Sequence, residues 1–167
     1  GVIPAYAWQA EVQGFIDGAK YQNENVTVHV SAVGDWNDID GGIQMFEEQL
    51  SEGVDGFYPA GDGFNVPIIE KVKENGLYVI GYVSDQHDLG SKTVLTSTVQ
   101  HVDQLFLYAA ESFDNGTLES GNYAFDFKDE AITLGKFSSV VPDEFVEEMQ
   151  QHVKAYIETG KLPSNVK

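Results

Sequence analysis

Four short segments of this 167-residue chain concentrate side chains that could bind a small molecule. They are residues 4–9 (PAYAWQ), 34–38 (GDWND), 61–65 (GDGFN) and 84–88 (SDQHD), and they carry aromatic, amide or carboxylate groups. Aromatic faces stack on rings, and carboxylates accept hydrogens from hydroxyl or amino groups. The segments therefore favour recognition of a small polar ligand with an aromatic ring. The structural alternative is that the tryptophans cap a sheet and the aspartates cap helices.

Catalytic chemistry has little support among the same residues. None of the serines lies in a Gly-x-Ser-x-Gly elbow, and the absence of cysteine removes thiolate nucleophiles. His87 lies near Asp85 and Asp88 and could act as a base, but we expect it to be an exposed loop histidine with only a polar role. The sequence therefore predicts a protein that is not an enzyme.

The histidines and acids do not match a known metal or phosphate motif. The three other histidines have no partner at metal-ligand spacing. The acids in 35–40 resemble part of a calcium loop, but the glycine and the closing glutamate are not at the required spacing. The turn at 61–63 lacks the lysine of a phosphate-binding loop. We therefore expect no metal and no cofactor.

Charge excludes several classes of partner. The chain has 27 acidic and 9 basic residues and a net charge of -18, which repels phosphate backbones and anionic lipid headgroups. We therefore expect no direct binding of nucleic acid. No apolar stretch reaches the roughly 18 residues needed to cross a bilayer, so we expect this part of the protein to be soluble. The acids are scattered over predicted helix faces, which is typical of a solvated surface.

The four polar segments follow apolar runs that alternate with amphipathic segments. This alternation predicts βαβ units, and thus an α/β, three-layer αβα fold with a mostly parallel, doubly wound, Rossmann-like sheet. Ligands bind such sheets at the carboxyl ends of the strands, so the polar segments should share one edge. The predicted strands are 2–3, 26–33, 56–60, 77–83 and 93–99. The predicted helices are 8–21, one between Asp38 and Gly53, 66–74, 102–113 and one after Asp143.

The pattern changes after Gly90. Residues 1–92 are predicted to form a ligand-binding lobe of βα repeats, and residues 93–120 a strand and helix that cross to another lobe. Residues 121–167 are predicted to form a hairpin of 123–127 with 131–134 and a C-terminal helix that returns to the lobes. The chain begins inside a predicted strand without methionine, so we expect a piece of a longer protein.

Taken in order, the loops resemble a known family. The segments 33–38 (VGDWND), 59–63 (PAGDG), 80–86 (IGYVSDQ) and 94–103 (VLTSTVQHVD) are similar to the basic membrane lipoprotein (BMP), or PnrA-like, family of periplasmic-binding-protein type lipoproteins. The resemblance implies one lobe of a periplasmic binding protein type I fold, here the second lobe. It also implies an N-terminal lobe and a lipid anchor outside this sequence, which would hold the protein at the extracytoplasmic face of the cell membrane.

The resemblance also implies which residues bind a nucleoside-like ligand. Trp36 matches the aromatic that this lobe places against a purine base. Nucleoside-binding members have an aspartate where Val83 stands and a lysine where Gln100 stands, and both reach the ribose hydroxyls. Each loss costs roughly 1.5 to 3 kcal/mol, so we expect nucleoside binding weakened by about several hundredfold or more. The other expected contacts are Gly61, Asp62, Phe64 and Asp85.

Three functions are compatible with these residues. Segments shared across the loops most resemble a branch of the family that promotes competence gene expression; they are 8–9, 11–12, 14–16, 58–63, 65–67 and 96–100. This implies a non-catalytic, membrane-anchored regulator that senses a ligand or contacts a membrane or regulatory protein. The second is the substrate-binding component of an ABC importer for purine nucleosides, with Asp62 and Asp85 orienting the base on Trp36. The third is a regulator whose cleft no longer binds.

Overall fold

The computed structural model describes residues 1–165 of the chain, and five strands and five α-helices lie within them. Residues 166 and 167, the end of the predicted third region, lie outside the described residues. In chain order the elements are β1 (Val2–Pro4), α1 (Ala10–Gln22), α2 (Ile39–Ser51), β2 (Gly56–Ala60), α3 (Asn65–Glu74), β3 (Tyr78–Val83), β4 (Val94–Gln100), α4 (Val102–Asp114), β5 (Ile132–Leu134) and α5 (Asp143–Thr159). Short 3-10 turns occupy His87–Leu89, Phe127–Asp129 and Pro163–Asn165.

The strands form one sheet in the order β1-β2-β3-β4-β5. β1 to β4 are parallel to one another, and β5 is antiparallel to β4, with Thr98 opposite Leu134. The predicted α/β fold with a mostly parallel sheet is thereby confirmed. Because parallel strands point the same way, the loops that follow β1, β2 and β3 meet at one edge of the sheet.

Helices cover both faces of the sheet. Successive strand residues point to opposite faces, so Val2 and Tyr58 pack with Val12 of α1, whereas Ile3 and Phe57 pack on the other face. That second face is covered by apolar side chains of α2 and α3; they are Phe46, Ile68, Ile69 and Val72. The crossing helices thus change face after β1, which makes the sheet doubly wound and gives the predicted three layers.

Residues 26–33 do not form the full strand that the alternating valines predict. Val30 makes an isolated parallel bridge to Val2, and three backbone hydrogen bonds of 2.8 to 3.1 Å join the segment to β1. The segment lies outside β1, which is itself 3 residues long. Because β1 is short, it offers few backbone N–H and C=O groups for pairing. Most of residues 26–33 therefore lie beside the sheet without forming regular strand hydrogen bonds.

The predicted hairpin of 123–127 with 131–134 is wrong. Residues 123–127 are not a strand, because Asp126 caps a 3-10 turn by accepting a hydrogen bond from the backbone N–H of Lys128 at 2.7 Å. Glu130 then takes a left-handed conformation with φ of 58°, which redirects the chain. Ile132–Leu134 pairs instead with β4, a 7-residue strand whose edge is longer than any that 123–127 could supply.

Helix α4 leaves many apolar side chains on the surface. Phe106 and Phe113 are 73% and 77% exposed, and other apolar residues of the helix are also exposed; they are Val102, Leu105, Leu107 and Tyr108. An ordinary protein surface exposes large apolar side chains singly, whereas this helix exposes six of them together. Across residues 1–165, no helix combines the length and the apolar character needed to span a membrane.

Candidate ligand-binding edge

The carboxyl ends of the parallel strands collect most of the polar segments that the sequence singled out. We call this region the carboxyl edge, defined as residues 5–9, 34–38, 61–65, 83–86 and Gln100. Two backbone hydrogen bonds draw the first three segments together: Gly34 donates to the carbonyl of Ala5 at 2.8 Å, and Gly63 donates to that of Trp36 at 2.8 Å. The expectation that these loops share one edge therefore agrees with the fold.

Three aromatic rings stand side by side at this edge. Tyr6 stacks on Trp8 with ring centroids 5.5 Å apart, and its edge meets Trp36 at 5.8 Å. Trp36 is half-buried and packs against the core on both faces of the sheet, whereas Trp8 is 75% exposed. Trp36 is thus anchored as a sheet-capping residue would be, and Trp8 offers an open face on which a ligand ring can stack.

A buried amide holds the aromatic loop to the sheet. The Gln9 side chain accepts a hydrogen bond from the backbone N–H of Tyr6 at 2.8 Å and donates to the carbonyl of Ala60 at 3.1 Å. Both ends of the amide are therefore used, which suits a side chain with so little exposed surface. The loop after β1 is tied in this way to the end of β2.

Two further buried amides join the loops after β2 and β3. Asn65 donates to the carbonyls of Gly61 and Asp62, at 2.5 and 3.1 Å, and accepts from the side chain of Gln86 at 2.8 Å. Gln86 in turn accepts from the backbone N–H of Tyr82 at 2.8 Å. These amides could not be predicted from the sequence as positioning residues, because a glutamine or asparagine in a loop gives no sign of its partner.

Val83 takes an unusual backbone conformation where β3 ends. Its φ is 67°, a left-handed value that is a rare outlier for a β-branched residue. The backbone N–H of Ser84 bonds back to the carbonyl of Tyr82 at 2.8 Å, so Val83 is the centre of a three-residue turn. This turn folds the loop back over the sheet, which allows Gln86 to reach Tyr82.

A polar cluster lies beside the aromatic rings. Gln100 donates to the Glu11 carboxylate at 3.4 Å, and the hydroxyl of Tyr82 lies beside both side chains. The Tyr58 hydroxyl lies 2.9 Å from that of Thr98. Gln100 was predicted as a site residue, but Glu11 and the two tyrosines were not, because alternation along a strand marks such tyrosines only as core residues.

Burial extends to higher pH the range over which both tyrosines of this cluster are neutral. It raises the pKa of Tyr82 to about 12, and the nearby negative charges of Glu11 and Asp62 raise it further. Burial also raises the pKa of Tyr58 well above its ordinary value, and its hydrogen bond to Thr98 only partly offsets this. Both hydroxyls are therefore protonated near neutral pH and remain able to donate a hydrogen bond.

The other expected contact residues have varied surroundings. Asp62 is exposed at the carboxyl edge. Phe64 is fully buried, and its ring occupies the space beside Gly61, where a Cβ atom would overlap it. The two carboxylate oxygens of Asp85 accept from the backbone N–H groups of His87 at 3.2 Å and Lys136 at 3.0 Å, which ties it to the loop after β5.

His87 is buried, contrary to the expectation of an exposed loop residue. The 3-10 turn at His87–Leu89 folds it inward, and its Nδ1 lies 3.5 Å from the Asp88 carboxylate. Within residues 1–165, no group of three or more His, Asp or Glu side chains is arranged to hold a metal ion.

Two concavities lie away from the carboxyl edge. One, of about 580 Å³, is a groove between β5 and α5 whose lining includes His101, Phe127 and Val153. The other, of about 570 Å³, lies between the sheet, α1 and α5, and is lined largely by apolar side chains such as Phe15 and Phe145.

Comparison with known proteins assigns the family. The model of the Bmp family, described as the ABC transporter substrate-binding protein PnrA-like family, matches residues 1–166. The chain belongs to this family. The Bmp family is one of substrate-binding or regulatory proteins, and relatives in Borrelia and Borreliella are named basic membrane proteins. The resemblance seen in the loops is thereby confirmed.

Two relatives of this Bmp chain are described as transcriptional activators. The transcriptional activator protein med of Bacillus subtilis is 46% identical over 99% of this chain and 52% of its own length. The crystal structure of a transcriptional activator of the comK gene from Bacillus halodurans is 53% identical, with a TM-score of 0.91 over 98% of this chain and 57% of that one. The chain therefore spans about half the length of these relatives.

More distant solved structures support the fold alone. An ABC transporter solute-binding protein from Aeropyrum pernix superposes on this Bmp chain with a TM-score of 0.66 at 20% identity, over 99% of this chain and 47% of its own. The crystal structure of a lac repressor dimer bound to operator superposes with a TM-score of 0.54 at 16% identity, over 85% of this chain and 45% of the repressor chain. These similarities agree with a lobe of the periplasmic-binding-protein type.

Proposed function

We propose that this chain is the second lobe of a membrane-anchored, Med-like regulator that promotes competence gene expression and performs no catalysis. The observation that carries the proposal is the 46% identity to the Bacillus subtilis activator over 99% of the chain. A distant fold match could not support a shared role, but the similarity to this activator covers the loops of the carboxyl edge as well as the core, because it spans 99% of the chain.

The charge of the chain favours regulation through a ligand or a protein contact. A net charge of -18 repels DNA, and a DNA reader needs a basic surface for the phosphate backbone. Membership of the Bmp family supports the further proposal that the protein acts from the extracytoplasmic face of the membrane through a lipid anchor. Its signal would pass to another protein, or arise when a nucleoside-like molecule binds.

The exposed face of α4 supports the proposed division into lobes. Apolar side chains such as Phe106 and Phe113 need a covering surface in the complete protein. We propose that residues 1–92 form the βα repeats of this lobe, that residues 93–120 cross to the other lobe after β4 has joined the sheet, and that residues 121–167 return from it, with β5 pairing with β4. A cleft between two lobes would then lie over the carboxyl edge.

Thermal unfolding of the complete two-lobed protein tests ligand sensing. A panel of purine and pyrimidine nucleosides and bases is added, and a ligand at a hundredfold excess over its Kd stabilises by about 2.7 kcal/mol. Trp36→Ala should remove the gain, whereas Tyr78→Ala, an exposed aromatic at the start of β3 on the opposite edge, should keep it.

A competence reporter tests the regulatory role with the same variants. A ligand-sensing regulator loses reporter expression in the Trp36→Ala variant and keeps it in Tyr78→Ala. Full expression in Trp36→Ala, with no thermal shift from any compound, would instead indicate a regulator whose cleft is vestigial. An unchanged reporter after deletion of the whole gene would contradict the regulatory proposal.

The second candidate is the substrate-binding component of an importer for purine nucleosides. It is favoured by the description of the family model, an ABC transporter substrate-binding protein. In this role Trp36 stacks the base, and Asp62 and Asp85 orient it. Val83→Asp combined with Gln100→Lys should then strengthen nucleoside binding at least tenfold in a titration; unchanged affinity would argue against a nucleoside site.

A further inference from the structure

One carboxylate fastens the loop after β3 to the loop after β5. The Oδ1 atom of Asp85 accepts a hydrogen bond from the backbone N–H of His87 at 3.2 Å, within its own loop. The Oδ2 atom accepts from the backbone N–H of Lys136 at 3.0 Å, across 51 positions of the chain. Both oxygens of Asp85 are thus engaged with the backbone. We call the contact of Asp85 with residues 135–136 the latch.

The side of the latch that belongs to residues 135–136 is held to the sheet. The backbone N–H of Gly135 donates to the carbonyl of Ser97 at 2.8 Å, and the hydroxyl of Thr96 donates to the carbonyl of Gly135 at 2.9 Å. A Cβ atom at position 135 would lie 2.8 Å from Oδ1 of Asp85, which is too close for both to stay in place. Glycine here therefore allows the two loops to approach as closely as the latch requires.

The latch lies beside the strained turn at Val83. The φ of Val83 is 67°, and a β-branched residue keeps such a conformation only when the surrounding structure holds it there. The turn is closed by the bond from the N–H of Ser84 to the carbonyl of Tyr82 at 2.8 Å, and the side chain of Gln86 accepts from the N–H of Tyr82 at 2.8 Å. Asp85 stands between Ser84 and Gln86 in the chain. The latch therefore restrains the middle of a loop that strain favours opening.

We infer that Asp85 is a positioning residue that holds the Val83 turn closed, and that displacement of residues 135–136 releases the turn. The inference rests on the proposed function, in which residues 121–167 return from the other lobe. A movement of that lobe then reaches the carboxyl edge through the latch, so the latch supplies a route between the lobes and the ligand-binding edge. This role differs from the direct ligand contact that the sequence predicted for Asp85, because both of its oxygens already accept from the backbone.

Hydrogen exchange of single amides in the complete two-lobed protein, measured by NMR without ligand, tests the latch. Asp85→Ala should speed the exchange of the N–H groups of Tyr82 and Ser84 by about tenfold or more, because the turn opens. Asp88→Ala removes an exposed carboxylate of the same loop, whose recorded contact is with the neighbouring histidine, and should leave both rates unchanged. If Asp85→Ala speeds exchange only at the two N–H groups that Asp85 itself accepts from, the turn is closed without the latch and the inference is overturned.

A second substitution tests whether strain is what the latch opposes. Glycine adopts a positive φ readily, so the turn should stay closed without the latch when Val83→Gly is added to Asp85→Ala. The exchange of the Ser84 N–H should then return towards its original rate. Removal of a side chain could not restore a packing contact, so this recovery would be specific to strain. Exchange that stays fast, or becomes faster, in the double variant would overturn the inference.

Gly135→Ala tests the latch from its other side. In the protein that retains Asp85, the new Cβ atom displaces the carboxylate, so the exchange of the Ser84 N–H should rise as it does in Asp85→Ala. In the Asp85→Ala background the same change should add little. Gly121→Ala, where a Cβ atom meets nothing within 4 Å, is the control and should leave the rate unchanged. Equal effects of Gly135→Ala in both backgrounds would contradict the latch.

The outcomes separate this inference from the proposed function, because none of the exchange measurements needs a ligand or a reporter. Unchanged exchange at Tyr82 and Ser84 in Asp85→Ala overturns the latch and leaves the regulatory function as it stands. Competence expression that survives deletion of the gene contradicts the regulatory function, whereas the exchange rates still decide whether the latch holds the turn.

Discussion

Gln86 offers the sharpest test of how the carboxyl edge is held together. Its side chain joins the backbone N–H of Tyr82 to the side chain of Asn65, with both hydrogen bonds at 2.8 Å. Replacement by methionine keeps nearly the same length and shape and removes both polar groups. Gln86→Met therefore isolates the hydrogen bonds from the packing.

The expected loss follows from the groups left behind. In the variant, the Tyr82 N–H and the Asn65 side-chain oxygen are buried with no partner. A buried group without a partner costs about 1 to 3 kcal/mol, so the free energy of unfolding should fall by about 2 to 6 kcal/mol. Asn65 also orients the carbonyls of Gly61 and Asp62, so the loop after β2 should loosen as well.

Urea unfolding followed by circular dichroism measures this loss, and Gln44→Met is the matched control. Gln44 is exposed on α2, and its side chain bonds only to Glu48, at 2.8 Å, so its replacement should change stability by no more than about 0.5 kcal/mol. If both variants unfold at the same urea concentration, the buried amides do not stabilise the fold and the reasoning is refuted.

Three further predictions use the same unfolding measurements. Gly61→Ala should lower the free energy of unfolding by about 1 to 3 kcal/mol, because the new Cβ atom would overlap the ring of Phe64. Gly14→Ala, in the open middle of α1, should raise it by about 0.5 to 1 kcal/mol. A change of the same sign in both variants would contradict the packing around Gly61. Asp38→Ala should cost about 1 kcal/mol, because the side chain caps α2 by accepting from the N–H of Gly41 at 2.9 Å, and Asp38→Asn should recover most of it. The folded-state pKa of Tyr82, about 12, exceeds its unfolded value of about 10, so the stability it contributes is complete below pH 10 and is lost as the pH rises to 12. In Tyr82→Phe, the free energy of unfolding should therefore fall less between pH 10 and pH 12 than in the original protein. The same fall in both proteins would show that the pKa of Tyr82 is not raised in the folded state.

Much of the fold could be predicted because it depends on local patterns. The helix of 8–21 was predicted from apolar spacing and forms as Ala10–Gln22, and Asp38 caps α2 as its position suggested. The strands at 56–60 and 77–83 were predicted within one residue. The spacing of apolar residues shows which face of a helix or strand is buried. That face depends on the residues of the element itself and not on which element packs against it.

Pairing between distant segments was predicted less well. The run at 26–33 alternates like a strand, but the length of its neighbour β1 limits what it can pair with. The segment 123–127 alternates too, but a turn capped by Asp126 ends it. In both cases the outcome depends on which partner is available in three dimensions, and a local pattern does not contain that information.

The sequence by itself determined the α/β class, the edge at which the loops gather and the family, because each follows from periodicity or from motifs along the chain. The tertiary structure alone decided that Gln86 and Asn65 clamp two loops and that Glu11 meets Gln100, which lies 89 positions further along the chain. It also decided that Val83 adopts a left-handed backbone. These features arise where separate segments meet, and contacts over such distances are fixed only when the whole sheet has formed.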